Sequence, residues 1–75
     1  MPDRAVVETS GQRVRRAREL RRRSLRNVAD DAGISPSTLS RWENGKGEPM
    51  FSHVIQVAQA LNISLDWLAT EQAHA

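Results

Sequence analysis

Apolar positions recur with the helical period in five segments of this chain, and each segment has a stop between it and the next. The plainest is Phe51 to Leu61, where Phe51, Val54, Val57, Ala58 and Leu61 share a face, Ile55 lies at its edge, and Ser52, Gln56 and Gln59 lie opposite. Leu25, Val28, Ala29 and Ala32 form a shorter stripe at i, i+3, i+4 and i+7. From Pro36 to Asn44, Leu39, Trp42 and Glu43 point to one side, and Ser37, Ser40, Arg41 and Asn44 to the other. A first helix, capped by Ser10 and running to about Arg22, has a thin inner face. Val14 and Ala17 share it with Arg18 and Arg21, and Leu20 lies at its margin. A short fifth helix follows Ser64, with Asp66 in its first turn, where negative charge suits the helix dipole. Leu65 and Leu68 are expected to complete the core, and Trp67 is left two readings, buried or facing a partner subunit. Residues 1–9 show no helical period and read as a flexible arm. Residues 10–69 read as the domain and 70–75 as a tail or the start of a linker.

The punctuation between the second and third segments is the most specific feature. Gly33 can take the left-handed conformation that ends a helix, and Ile34 buries the turn. Ser35 is a good N-cap, and Pro36 falls where a missing N–H costs nothing. Ala29 supplies the small residue that two steeply crossing helices need. The whole pattern, with Leu39 and Trp42 following, is a helix-turn-helix signature. In that setting the outer face of the third helix acquires a meaning. Ser37 and Ser40 are short enough for close approach to a major groove, and Arg41 can address guanine O6 and N7. Taken alone, the same residues would be an ordinary polar surface.

Charge sharpens this picture. The formal net charge is only +2, yet eight of the eleven basic residues lie between Arg13 and Arg26. Such a run is most often a solvated face; beside a helix-turn-helix it reads as a phosphate-binding stripe. At 75 residues the chain is one small domain. There are no cysteines, so no disulfide framework and no thiolate metal site, which fits a reducing cytoplasm. No apolar run reaches the length of a membrane span, and no signal peptide is apparent.

The wording DAGIS followed by SPSTLSRWENGKGEP resembles the phage-repressor/Cro-like, or xenobiotic-response-element type, helix-turn-helix family. The resemblance covers roughly residues 11–68 and implies an all-α, five-helix repressor-like helix-turn-helix domain. It implies double-stranded DNA as the partner, no cofactor, and a homodimer that forms in solution or only on DNA, with Leu65 and Trp67 as candidate contacts. It pairs Arg18 with Glu43 as a structural ion pair. It sets Asn44 and Lys46 where family members grip phosphates, Lys46 being the stronger candidate. Ser24, Arg26, Ser35 and Thr38, at or near helix N-termini, join them as expected phosphate contacts. The chain departs from the family at Arg22 and Arg23, where relatives usually carry Gly-Leu, a helix stop and a buried apolar residue. It departs again at Leu25, where many have a phosphate-touching glutamine.

Catalysis finds no constellation here. His53 and His74 lack metal-ligand spacing, no base neighbours the serines near Arg41, and Gly45-Lys46-Gly47 is too short to cradle a nucleotide. Two binding classes remain. One is a transcriptional regulator reading duplex DNA. The other is a protein-interaction adaptor on the same scaffold, which is expected to show an apolar patch where Ser37, Ser40 and Arg41 lie.

Overall fold

A computed structural model describes residues 8–69. Five helices follow one another: α1 Ser10–Leu20, α2 Leu25–Ala32, α3 Pro36–Glu43, α4 Phe51–Leu61 and α5 Leu65–Ala69. They close around one core, in which Val14, Val28, Leu39, Val57, Leu61 and Leu68 are fully enclosed. Ala29 and Ala32 are buried where α2 meets its neighbours, so small side chains there let the helices approach.

The N-termini are built from local hydrogen bonds. Thr9, not Ser10, caps α1. Its Oγ1 accepts from the Gln12 N–H at 3.2 Å, and Gln12 Oε1 accepts from the Thr9 N–H at 2.9 Å, a complete capping box. Ser10 is thereby freed to accept the buried Trp42 indole N–H at 2.8 Å. Two residues of the expected arm, Glu8 and Thr9, are engaged with the first helix. Glu8 already binds Arg16, Thr9 opens the helix, and residues 1–7 and 70–75 lie outside the described residues. Ser24 caps α2 through the Asn27 N–H, and Ser35 caps α3 through the Thr38 N–H with Pro36 in the first turn.

The C-termini of α1 to α4 share one device. In each, a residue in the left-handed region is followed by an N–H that reaches five residues back: Arg23 to Arg18 O, Ile34 to Ala29 O, Lys46 to Arg41 O and Ile63 to Ala58 O. The left-handed residues are Arg22, Gly33, Gly45 and Asn62. Helix α1 therefore ends at Leu20, two residues before the expected Arg22, and α3 ends at Glu43 with Asn44 as its C-cap.

Two core expectations fail, both at helix starts. Phe51 is 68% exposed because it opens α4, and a helical side chain points back over the preceding turn, here beyond the core edge. Leu65 is 37% exposed for the same reason at the start of α5, while Leu68, one turn on, is fully buried. Arg21 does not share the inner side of α1 either: its side chain is exposed, and Nη1 turns back to the Ala17 carbonyl at 3.2 Å.

Candidate nucleic-acid interface

Helix α3 is held from behind by α1 and α2, which leaves its outer face to solvent. Leu39, Trp42 and Glu43 are buried, Ser37 and Arg41 are exposed, and Ser40 and Thr38 are half-buried. Gly11 of α1 packs directly on the last turn of α3: a Cβ there would come within 1.9 Å of the Trp42 carbonyl oxygen. With the Ser10–Trp42 hydrogen bond and the contact of Arg18 with Glu43, α1 grips α3 at three points. The outer face is thus presented by a helix whose roll is fixed.

On that face Arg41 and Lys46 are reciprocally tied. The Lys46 N–H donates to the Arg41 carbonyl at 2.8 Å, and Arg41 Nη2 donates to the Lys46 carbonyl at 2.8 Å. The guanidinium keeps its other donors for a ligand, and the ammonium of Lys46 is exposed on the loop beside it. Asn44 is exposed, and its side chain folds back along its own helix, with Nδ2 donating to the Ser40 carbonyl at 2.8 Å. Ser35 Oγ accepts from the Thr38 N–H at 3.1 Å and donates to Thr38 Oγ1 at 2.7 Å, so both side chains serve the N-terminus of α3. Ser24 is the exposed N-cap of α2, and Arg26 is exposed on its first turn. The outer face of α3 carries hydroxyls and one guanidinium, and no apolar side chain.

The arginine stripe does not form one surface. Arg13 is only 3% exposed: Nη1 donates to the Trp67 carbonyl at 2.7 Å, and its guanidinium lies 5.7 Å from the centre of the Trp67 ring. Arg16 approaches the same ring at 5.6 Å and binds Glu8 at 3.0 Å. Arg15 pairs with Glu19. Arg18 makes a fork with Glu43, 2.8 and 2.9 Å, and donates Nη1 to the Arg23 carbonyl at 3.1 Å. Those hydrogen bonds with Glu43 raise the Arg18 pKa above its ordinary value against the opposing effect of burial, so it stays charged. Arg23, one of the chain's departures from the family it resembles, ties Asn27, Asp31 and the Ala60 carbonyl at the end of α4. Five of the eight thus have partners within the domain, although Arg15 and Arg16 remain exposed.

A family model described as helix-turn-helix matches residues 14–68. The chain belongs to that helix-turn-helix family. The DNA-binding domain of SinR from Bacillus subtilis superposes with a TM-score of 0.79 at 29% identity, covering 87% of this chain and 96% of that one. The P22 c2 repressor in complex with a synthetic operator superposes at 0.76 with 26% identity, covering 81% and 92%. Among curated relatives, the repressor RghR of Bacillus subtilis is 35% identical over 83% of this chain and 47% of its own length. The CTXphi repressor RstR of Vibrio cholerae is 39% identical over 55% of this chain and 37% of its own. The chain spans less than half the length of these curated helix-turn-helix relatives.

Sequence reasoning missed three contributors to the site's support. Arg13 was read into the stripe, although its spacing of four from Ala17 places it on the inner side. Gly11 carried no local signal beyond being the one glycine inside α1. The link between Arg41 and the Lys46 carbonyl depends on the fold of the loop.

Proposed function

We propose that this helix-turn-helix domain reads duplex DNA as part of a transcriptional regulator, with α3 in the major groove. Ser37, Ser40 and Arg41 face base edges. Ser24, Arg26, Ser35, Thr38, Asn44 and Lys46 lie toward phosphates through side chains and helix N-termini. One observation carries the reading: α3 is clamped on its inner side and exposes a hydroxyl-and-guanidinium face, in a fold shared with repressors solved on DNA. The adaptor reading expects an apolar patch on that face, and none of Ser37, Ser40 and Arg41 supplies one.

Neutralised phosphates release counterions, so affinity for duplex DNA should fall steeply with salt. Titration with random-sequence duplex at two salt concentrations tests binding, and selection from a random duplex library tests readout. Salt-independent or absent duplex binding would overturn the proposal.

A further inference from the structure

Once the five partnered arginines are set aside, Arg21, Arg22 and Arg26 remain at the α1–α2 junction. All three are exposed, and no carboxylate among the described residues pairs with them. Arg22 is the anomaly. Four helices stop through the same left-handed device, using glycine twice and asparagine once, residues suited to it. At the fourth stop an arginine stands at φ 56°, a conformation in which its Cβ crowds the following carbonyl oxygen. The fold shows no return for that strain. Only the Arg22 backbone is engaged, its N–H donating to the Glu19 carbonyl at 3.0 Å, and no described residue hydrogen-bonds its guanidinium.

We infer that Arg21 and Arg22 join Arg26 in a phosphate clamp that extends the DNA contact beyond the helix-turn-helix unit onto the neighbouring backbone. The inference rests on the DNA-binding reading above. Arg26 sits on the first turn of α2, just past the Ser24 cap, and Arg22 lies two residues before that cap. Arg21 uses one nitrogen on the Ala17 carbonyl and keeps its other donors. Three unpaired guanidinium groups on one short stretch match a row of phosphates, since each fork suits two phosphate oxygens. Arginine in place of glycine at the helix stop trades stability for that charge.

The test uses the full chain, random-sequence duplex and a series of salt concentrations. Arg22→Gly should raise the melting temperature by relieving the strain. It should also flatten the log–log salt slope by about one unit, as expected for one lost phosphate contact. Adding Arg21→Gln and Arg26→Gln should flatten it by about three units in all. Gln56→Lys, on the solvent face of α4, restores one charge and should not restore the slope. An Arg22→Gly variant that gains stability and keeps the wild-type slope overturns the clamp. Recovery by Gln56→Lys also overturns it, because net charge would then be the whole effect. If the unaltered chain binds no duplex, the DNA reading falls first and the clamp with it.

Discussion

Arg18 grips Glu43 through both edges of its guanidinium, Nε to Oε2 at 2.8 Å and Nη2 to Oε1 at 2.9 Å, and so locks the first helix to the end of the third. The Glu43 side chain is almost wholly buried, and Arg18 keeps a small exposed margin. A carboxylate in that position must be paired, because an isolated buried charge is costly. The bridge thereby fixes the roll of the helix that presents Ser37, Ser40 and Arg41.

Breaking the bridge from either side should therefore cost much more than the pair contributes. Glu43→Ala and Arg18→Ala should each destabilise the domain by about 3 kcal/mol, since each leaves the other charge partly buried. The double variant should lose less than the sum. Thermal or urea unfolding of the four proteins measures this, and strict additivity would show the side chains to be uncoupled. The Arg18 pKa is raised on folding, so its contribution is complete below the ordinary arginine value and is lost only as pH rises through the higher folded one. Arg18 should thus add no slope to stability between neutral and mildly alkaline pH.

Gly11 should tolerate no side chain. A Cβ at this position would stand 1.9 Å from a backbone oxygen, that of Trp42, and backbone cannot swing aside as a side-chain tip can. Gly11→Ala should force α1 away from α3 and cost about 1–3 kcal/mol, the usual scale of overpacking. Gly47→Ala is the control, because its Cβ would meet only the tip of Arg41 at 3.5 Å. Equal melting temperatures for the two variants would show that α1 and α3 do not depend on this close approach.

The dimer expectation shifts with the structure. Leu65 and Trp67 are both partly exposed, but the Trp67 ring already carries Arg13 and Arg16. Leu65 borders a notch with Ile55 and Ile63, and is the better candidate of the two for a contact. Helix-turn-helix dimers place half-sites about 34 Å apart. Footprinting should then show two protected segments related by a two-fold axis, and Leu65→Glu should abolish the pairing while single-site binding persists. One short protected segment at saturation would count against a dimer.

The elements were legible because their signals are local. The stop at Gly33, the caps at Ser24 and Ser35 and the apolar stripe of α4 all act within one or two turns. The arginine stripe was misread because partner choice is not local: Arg13 finds Trp67, and Arg23 finds Ala60, across the fold. Phe51 was placed in the core by a period that holds along α4 but takes no account of where the core ends. On the outer face of α3, the residue types were legible and the link between Arg41 and the Lys46 carbonyl was not.

Arg41 should be the main reader of sequence. It is the only long donor on the outer face of α3, and a planar fork suits guanine O6 and N7 better than any other base edge. Ser37 and Ser40 are too short to reach far and should adjust fit. Arg41→Ala should cost about 1–3 kcal/mol at the cognate site, while weaker binding to random duplex survives through phosphate contacts. Lys46→Ala should act oppositely, weakening every duplex, flattening the salt slope and leaving base preference intact. The tie from Arg41 to the Lys46 carbonyl adds a refinement. Part of the Arg41→Ala loss should appear on random DNA too, as a loosened loop, and that part should vanish when Lys46 is already alanine. Cognate and scrambled duplex titrated against both single variants and the double variant separate these terms. If Arg41→Ala weakens both duplexes equally, Arg41 is a phosphate contact, and base readout lies with the serines or with DNA shape.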